Sequence, residues 1–407
     1  VPGPTDREGE RVERMKMGMS TGTSPGKRPE PEIETLAGPV TTITAVDPPP
    51  SALHQWDRLV DRTVGTDVTQ LSAWARIRSM AGYSPVYVMA FQDDRVVGGA
   101  LLLRRRLFGL LDIGYLPYGP VVDPQAPYPS AVALALVEEL TQIAQSLTVT
   151  FVQPPEGAHE ISAGLLARGF RPSRAGIAPT GSYRLDLTPP LEEIRSGFSK
   201  RLKSWTNRWQ SKGVTVRLSD ESELPLLLRL MEHTGARQGF APPPLDYVRT
   251  LYRELAANDH AALFIGEVDG RPVSADLVTV VGGMVRGRLG GFDGSGPTGK
   301  LSVPAAVRWE IVKWAKARGY RWLDFGGLPE KMLVDMIDKG IHSSEEWPSA
   351  QRSKLSFNGT PFRYPTAVEL IRPAPIRAAY DVLRRNERGA KIIAAAKMKL
   401  RGQFRKR

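Results

Sequence analysis

Apolar positions along the chain fall into two spacings. Over His54–Asp67, and again over Leu71–Gly82, they recur every three or four residues, as with Leu71, Trp74, Ile77 and Met80. That spacing puts a stripe on one face of a helix. Val86–Gln92 alternates instead, and Val96–Arg104 follows it across the turn Asp93-Asp94. Two such runs about a short polar turn predict a β-hairpin. A strand at Asp112–Gly119, an Ala- and Leu-rich helix at Ser130–Ser146, a strand at Val149–Gln153 and a helix at Gly157–Gly169 complete a first series.

The second half repeats that order. Leu191–Lys212, Leu224–Gln238 and Leu245–Ala257 read as helices, and Ala262–Val268 with Val273–Val281 as a hairpin around Asp269-Gly270. A strand at Val285–Gly291, a helix at Val303–Arg318 and a strand at Tyr320–Phe325 follow. The hairpin turns, at 93 and 269, lie 176 residues apart, and the strands after the long helices, starting at 149 and 320, lie 171 apart. So steady an offset marks a duplicated unit. The prediction is a mixed α/β (α+β) chain with units at 51–180 and 181–375. The first fifty residues hold nine prolines and no sustained period, which predicts disorder. They lack the apolar core of a signal peptide. Gly18–Gly22 matches a serine-hydrolase elbow, without the strand and helix that would frame it.

Composition narrows the chemistry. A length of 407 residues suits two or three domains. The absence of cysteine excludes disulfides, thiolate metal sites and a Cys nucleophile, and suits a reducing compartment. The longest apolar run, Val96–Leu111, is cut by Arg104-Arg105-Arg106, so no membrane span is expected. The formal charge of +12 is uneven. Val1–Pro50 carries six basic and eight acidic residues, whereas Ile376–Arg407 carries eleven basic and two acidic ones. Residues 376–407 therefore read as a basic amphipathic helical tail, suited to tRNA phosphates or to anionic lipid.

Three local signals bear on function. Gly294–Lys300 meets seven positions of a P-loop, but Leu301 stands where a Mg²⁺-ligating Ser or Thr belongs, and Pro297 removes an amide donor. It reads first as a plain strand–helix loop, with the P-loop and a weak dinucleotide pattern as lesser alternatives. The five histidines show no ligand spacing, so no metal is expected. Arg195–Lys212 carries six cations and no acid, with Trp205 and Trp209 one helical turn apart. Such a face can grip phosphates or, equally, be a solvated surface over buried tryptophans.

Five segments together resemble the Fem family of aminoacyl-tRNA-dependent peptidyltransferases. Gln70–Arg78 followed by Gly82-Tyr83 is similar to its entry helix, with Arg78 where Lys is usual. Tyr115–Asp123 is similar to its Y-x-P-R-G-P-v-x-D segment, with Tyr118 in the Arg place. Lys203–Val214 is similar to a basic helix ending in Gly-Val. Tyr320–Gly327 is similar to Y-x-x-y-D-F-G-G, and Ser353–Gly359 to F-K-x-G-F-G-G, with Ser353 for Phe and Asn358 for Gly. The resemblance runs from about Trp56 to Tyr380.

It implies two fused GNAT-like acyltransferase units, which the repeated element order also fits. A helical-hairpin arm is not expected, because little chain separates the helices on either side of Gly239–Leu245. It implies that an acceptor peptide's amine attacks the ester carbonyl of an aminoacyl-tRNA, extending a peptidoglycan precursor (lipid II or UDP-MurNAc-peptide) with no cofactor beyond that co-substrate. By motif position, Lys354 stabilises the oxyanion. Arg78, Lys203 and Arg208 hold the acceptor's diphosphate, Tyr115 and Asp123 position its peptide and amine, and Tyr118, Asp324 and Phe357 line the substrate site. For Asp123 and Asp324 the competing reading is a carboxylate held by backbone amides. Other readings of the whole are a CoA- or tRNA-dependent N-acyltransferase acting on a small peptide or natural product, and a non-catalytic tRNA- or membrane-binding protein. The location expected is cytoplasmic, peripheral to the inner membrane face.

Overall fold

A computed structural model describes residues 40–393, apart from 108, 177 and 390. The Gly18–Gly22 motif and the end of the basic tail lie outside the described residues. Two sheets organise the chain. The first contains β1 (Thr41–Ala45), β2 (Ser84–Gln92), β3 (Arg95–Leu107), β4 (Leu111–Pro117), β5 (Val121–Val122), β6 (Val149–Gln153) and β7 (Arg171–Pro172). The second contains β8 (Gly181–Asp186), β9 (Val214–Ser219), β10 (Ala261–Val268), β11 (Arg271–Val281), β12 (Met284–Phe292), β13 (Trp322–Gly327) and β14 (Thr360–Arg363). β15 (Val368–Ile371) returns to the first sheet.

The predicted hairpins are β2–β3 and β10–β11. Among the described residues parallel pairing occurs in two places, β4 with β6 and β12 with β13. Each follows a long crossover helix, α3 (Pro129–Gln145) in the first half and α9 (Val303–Ala317) in the second. The duplication is therefore physical. The chain has the tandem GNAT-like α/β architecture that the resemblance implies.

Two expectations are corrected. The Pro-rich first fifty residues include β1, the edge strand of the first sheet, whose β-branched Thr41, Thr42, Ile43 and Thr44 pair along β2. The single helix at Leu191–Lys212 is broken into α5 (Leu191–Ser196), α6 (Lys200–Thr206) and a 3₁₀ turn. Ser199 causes the restart, its hydroxyl accepting from the Leu202 amide at 3.3 Å while its own amide donates to Ser356. The expected boundary near 180 falls between β7 of the first sheet and β8 of the second, but β15, inside 181–375, leaves the second sheet for the first. β8 follows β7 in the chain but lies in the second sheet, between β13 and β14, and β15 follows β14 but lies in the first, between β6 and β7. The second half thus lends the first a strand.

Helices fill the space between the sheets. α1 (Pro50–Arg62) starts with Pro at its first turn, where a missing N–H costs nothing, and buries Trp56, Leu59 and Val60. With α2 (Ser72–Ser79) it meets α7 (Leu224–Gln238) and α8 (Leu245–Ala256) of the second half in one apolar cluster. α7 stops at Gly239, whose left-handed backbone closes the last turn, and Gly239–Pro244 leads straight into α8 without an inserted arm. α3 and α4 (His159–Ala167) cover the far face of the first sheet. α5, α6 and α9 cover that of the second. α10 (Glu330–Leu333) and α11 (Ser349–Leu355) lead to β14, and α12 (Ala374–Arg385) follows β15.

Val368 is completely buried among first-half residues. Val368→Asp places an unpaired carboxylate there, and we expect unfolding free energy to fall by ~3 kcal/mol or more. Hydrogen exchange across Val149–Gln153, far earlier in the chain, should accelerate with it; unchanged exchange there would refute the return of β15 to the first sheet.

Candidate active site

β4 and β6 stay paired from Ile113↔Val149 to Pro117↔Gln153, so the first sheet is closed at this position. In the second sheet the corresponding pair runs only from Met284↔Trp322 to Arg286↔Asp324, after which β12 continues beside β11 alone. A gap opens between β12 and β13. Charged side chains gather where the pairing ends.

Arg286 and Arg288 project from the same face of β12, two residues apart. The Arg286 guanidinium reaches Asp67 of the first half, donates from Nε to Asp324 at 3.0 Å, and lies 3.2 Å from the Tyr364 hydroxyl. Arg288 donates to the other oxygen of Asp67 at 3.2 Å and stacks over Trp74. Asp324 also accepts from the Ser182 hydroxyl and from the Gly326 amide at 2.7 Å. Both carboxylates are fully buried. For Asp67, burial alone raises the pKa, yet Arg288, Arg286 and the Thr69 hydrogen bonds outweigh it and hold the group below the usual carboxylate range. Arg286 responds oppositely: burial disfavours its charge, but Tyr364, Asp67 and Asp324 hold it well above the ordinary range. Tyr118 packs 5.2 Å from Tyr364 with Arg286 over its ring. Burial, then Tyr364, keeps its hydroxyl protonated.

Lys354 lies at the end of α11, on the far lip of the gap. Its Nζ donates to the Gly327 carbonyl at 3.2 Å and approaches that of Gly326 at 3.5 Å. Gly326 has φ +87°, a conformation that costs glycine alone little, and a side chain there would face Nζ. Burial, then the Arg308 guanidinium, lowers the ammonium to about 8 against the opposing pull of Asp324. Phe357, 1% exposed, wedges between Phe198 and Phe325 and thereby fixes α11 against β13.

Tyr118, Asp324, Lys354 and Phe357 thus gather around the end of β13. The other expected site residues have different surroundings. Asp123 is 1% exposed and bound by Arg62 and by Arg95 at 2.7 Å, with the Gln125 amide capping its second oxygen. It fixes the β3–β5 edge. Arg78 is buried, stacks 4.7 Å over Tyr83 and meets Tyr247 of α8 at 3.4 Å, bridging the two halves. Tyr115 lies half-buried on β4 beside Phe151. Lys203 donates to the Ser196 carbonyl at 2.7 Å, which stitches α6 to α5, and the exposed Arg208 donates to Ser204. Gly294–Lys300 is the strand–helix connection, turned by the Asp293 carboxylate accepting from the Ser295 amide at 3.0 Å.

Asp67, Arg286, Arg288 and Tyr364 escaped the sequence reading. One signal was present: two arginines at alternate positions of an otherwise apolar strand need buried partners.

Comparison with known proteins places this geometry. An acetyltransferase (GNAT) domain model matches residues 196–332. The lipid II:glycine glycyltransferase of Staphylococcus saprophyticus subsp. saprophyticus is 28% identical over 226 residues, covering 52% of this chain and 53% of that protein. That of Staphylococcus aureus (strain COL) is 27% identical over 231 residues, covering 53% and 54%. The crystal structure of FemX superposes with a TM-score of 0.69 at 18% identity, over 80% of this chain and 98% of that one. Over about half of its length the chain is similar to these glycyltransferases. It spans about half the length of the curated relatives it matches, and the likeness to FemX shows a shared fold.

The junction has a direct test. Asp67→Ala strands two arginines in the interior and should cost about 3–5 kcal/mol in denaturant unfolding. Because the Asp67 pKa is depressed in the folded state, its contribution is present above the unfolded value near 4 and declines as pH falls below it. The difference between wild type and Asp67→Ala should therefore shrink in acid; a constant difference would exclude the ion cluster as its origin.

Proposed function

We propose that this chain is an aminoacyltransferase that moves an amino acid from aminoacyl-tRNA to the amine of a peptidoglycan-precursor peptide, carried on lipid II or UDP-MurNAc. The observation that carries the reading is Lys354, a half-buried ammonium at the open end of the second sheet, in a chain whose relatives bear the name lipid II:glycine glycyltransferase.

In the proposed reaction the acceptor amine attacks the ester carbonyl and a C–N bond forms. Negative charge collects on the carbonyl oxygen, where the Lys354 ammonium stabilises it. The C–O bond to the tRNA 3′ ribose then breaks, and the proton lost by the amine ends on the ribose hydroxyl. The ester is already activated, so the reaction requires neither ATP nor metal. Asp324 favours the charged form of Lys354. Tyr118 and Phe357 shape the wall beside it; Tyr115, Arg78, Lys203 and Arg208 are assigned to the acceptor by the family resemblance and have separate surroundings. Asp123 acts through the two arginines that it holds. A second reading, CoA-dependent N-acylation of a small peptide, has the GNAT domain match in its favour.

The assay is incubation with charged tRNAs, glycyl-tRNA first, and a lipid- or nucleotide-linked muropeptide, with acetyl-CoA in parallel. The expected product is one amino acid heavier; acetylation without tRNA would favour the second reading. Lys354→Ala should lower kcat by roughly 10²–10³-fold with little change in KM. As a cation acting below its pKa, Lys354 should give a rate that falls as pH rises through about 8. Lys354→Arg should move that limb upward, and an unmoved limb would remove Lys354 from the chemistry.

We further propose that the basic C-terminal helix rests on an anionic membrane surface near a lipid-borne acceptor. None of the described helices is long and apolar enough to cross a membrane. α12 is tethered by Asp381 to Arg171 at 2.7 Å, has no buried residue, and leaves Val382, Arg377 and Arg385 exposed. Arg385→Glu with Arg388→Glu should weaken binding to phosphatidylglycerol vesicles at low salt, where wild type binds, and leave binding at high salt equally weak for both. Unchanged low-salt binding would dissociate the tail from lipid.

A further inference from the structure

Among the described residues, one charged group in the second sheet has no hydrogen-bond or ion-pair partner. Asp276 lies on β11, on the face shared with Phe264, Val278 and Val280, where α9 packs through Val303 and Val307. These neighbours are apolar. Among the described residues Asp276 makes no hydrogen bond and no ion pair, and Arg308 is the cation whose field reaches it.

A part-buried carboxylate without a partner is costly, and a fold with no use for it would carry an apolar or amide side chain there. The backbone opposite is shaped to admit it. Asp276 pairs with Gly290 across the sheet, and a Cβ on Gly290 would lie 2.3 Å from the Asp276 carboxylate oxygen. Any other residue would push the carboxylate away.

Position gives the niche its meaning. Gly290 lies on β12 beyond Arg286, the last residue paired with β13, and so borders the gap. Lys354 holds the opposite lip through the Gly326 and Gly327 carbonyls. Arg308, within electrostatic reach of both Asp276 and Lys354, approaches the Ser353 hydroxyl at 3.4 Å. Burial raises the Asp276 carboxyl to about 6 against the lowering effect of Arg308. It is therefore anionic at neutral pH and poorly compensated. Among the described residues no group of three His, Asp or Glu side chains could hold a metal ion, so the cation suited to this lone carboxylate is an organic one.

We propose that Asp276 receives a protonated primary amine in the gap between β12 and β13, across from Lys354. The transferase reading supplies two sources of that amine, the α-amino group of the donor's aminoacyl ester and the amine of the acceptor peptide, and the identity of the amine rests on that reading.

The probe is glycine methyl ester, which carries an ammonium beside an ester, compared with N-acetylglycine methyl ester, which lacks the ammonium. Both are titrated into the full chain by NMR. Wild type should prefer the free amine by about tenfold, equivalent to ~1.4 kcal/mol. Asp276→Asn, nearly isosteric, should reduce the preference to about twofold or less. Gly290→Ala, which fills the niche and leaves charge unchanged, should do the same, with thermal unfolding confirming that both variants fold. No preference in wild type, or an intact preference in Asp276→Asn, would overturn the proposal.

Two further arms locate the source. Loss of affinity by Asp276→Asn for glycyl-tRNA but not N-acetylglycyl-tRNA assigns the donor. Loss for a lysine-containing muropeptide but not its Nε-acetylated form assigns the acceptor. If wild type binds neither tRNA nor muropeptide while the ester preference depends on Asp276, the transferase reading fails and the amine site stands.

Discussion

A single guanidinium, that of Arg286, is held in the interior between a carboxylate from each half of the chain. Taking such a charge out of water costs several kcal/mol, and only well-placed opposite charges and hydrogen bonds offset it. Asp324 comes from the neighbouring strand of the same sheet, whereas Asp67 comes from the turn before α2 in the other half. Neither half alone satisfies the arginine. The cluster sets the relative position of the halves at the point where β12 and β13 separate. The apolar cluster of α1, α2, α7 and α8 supplies adhesion over a broad area, while the ion cluster fixes registration at one point.

The duplication has been used asymmetrically. The first sheet keeps its parallel pair closed for five residues, through Gln153. The second abandons the same pairing after three and leaves an opening with Lys354 on one lip and Asp276 near the other. One copy of the unit is thus a closed wall and the other a cleft. The cationic groups also divide by task. Lys354, lowered to about 8, can lose its proton in the neutral to mildly alkaline range, whereas Arg286 keeps its charge and serves position alone.

The elements legible in the sequence were those with local causes. Hairpins announced by Asp93-Asp94 and Asp269-Gly270, and helices long enough to show a stripe, were read to within a few residues. The elements missed depend on distant partners. β8, β14 and β15 are short, and nothing in four to six residues tells which sheet will receive them. The break at Ser199 needed its remote contact with Ser356 to be recognised. The site divided the same way. Lys354, Asp324, Tyr118 and Phe357 could be located through short motifs. Arg286 could not, because its meaning comes from Asp67, 219 residues away. Unpaired Asp276 resembles any surface aspartate until the glycine opposite it is seen.

The return of β15 to the first sheet has a consequence for synthesis. β15 leaves the ribosome 215 residues after β6, the strand it must join, and at ~5–20 residues per second that interval is roughly 10–40 s. Throughout it the first sheet stands one strand short, with β6 offering an unpaired edge to any other extended segment nearby. Although it is made first, the N-terminal half is among the last parts of the molecule to be completed.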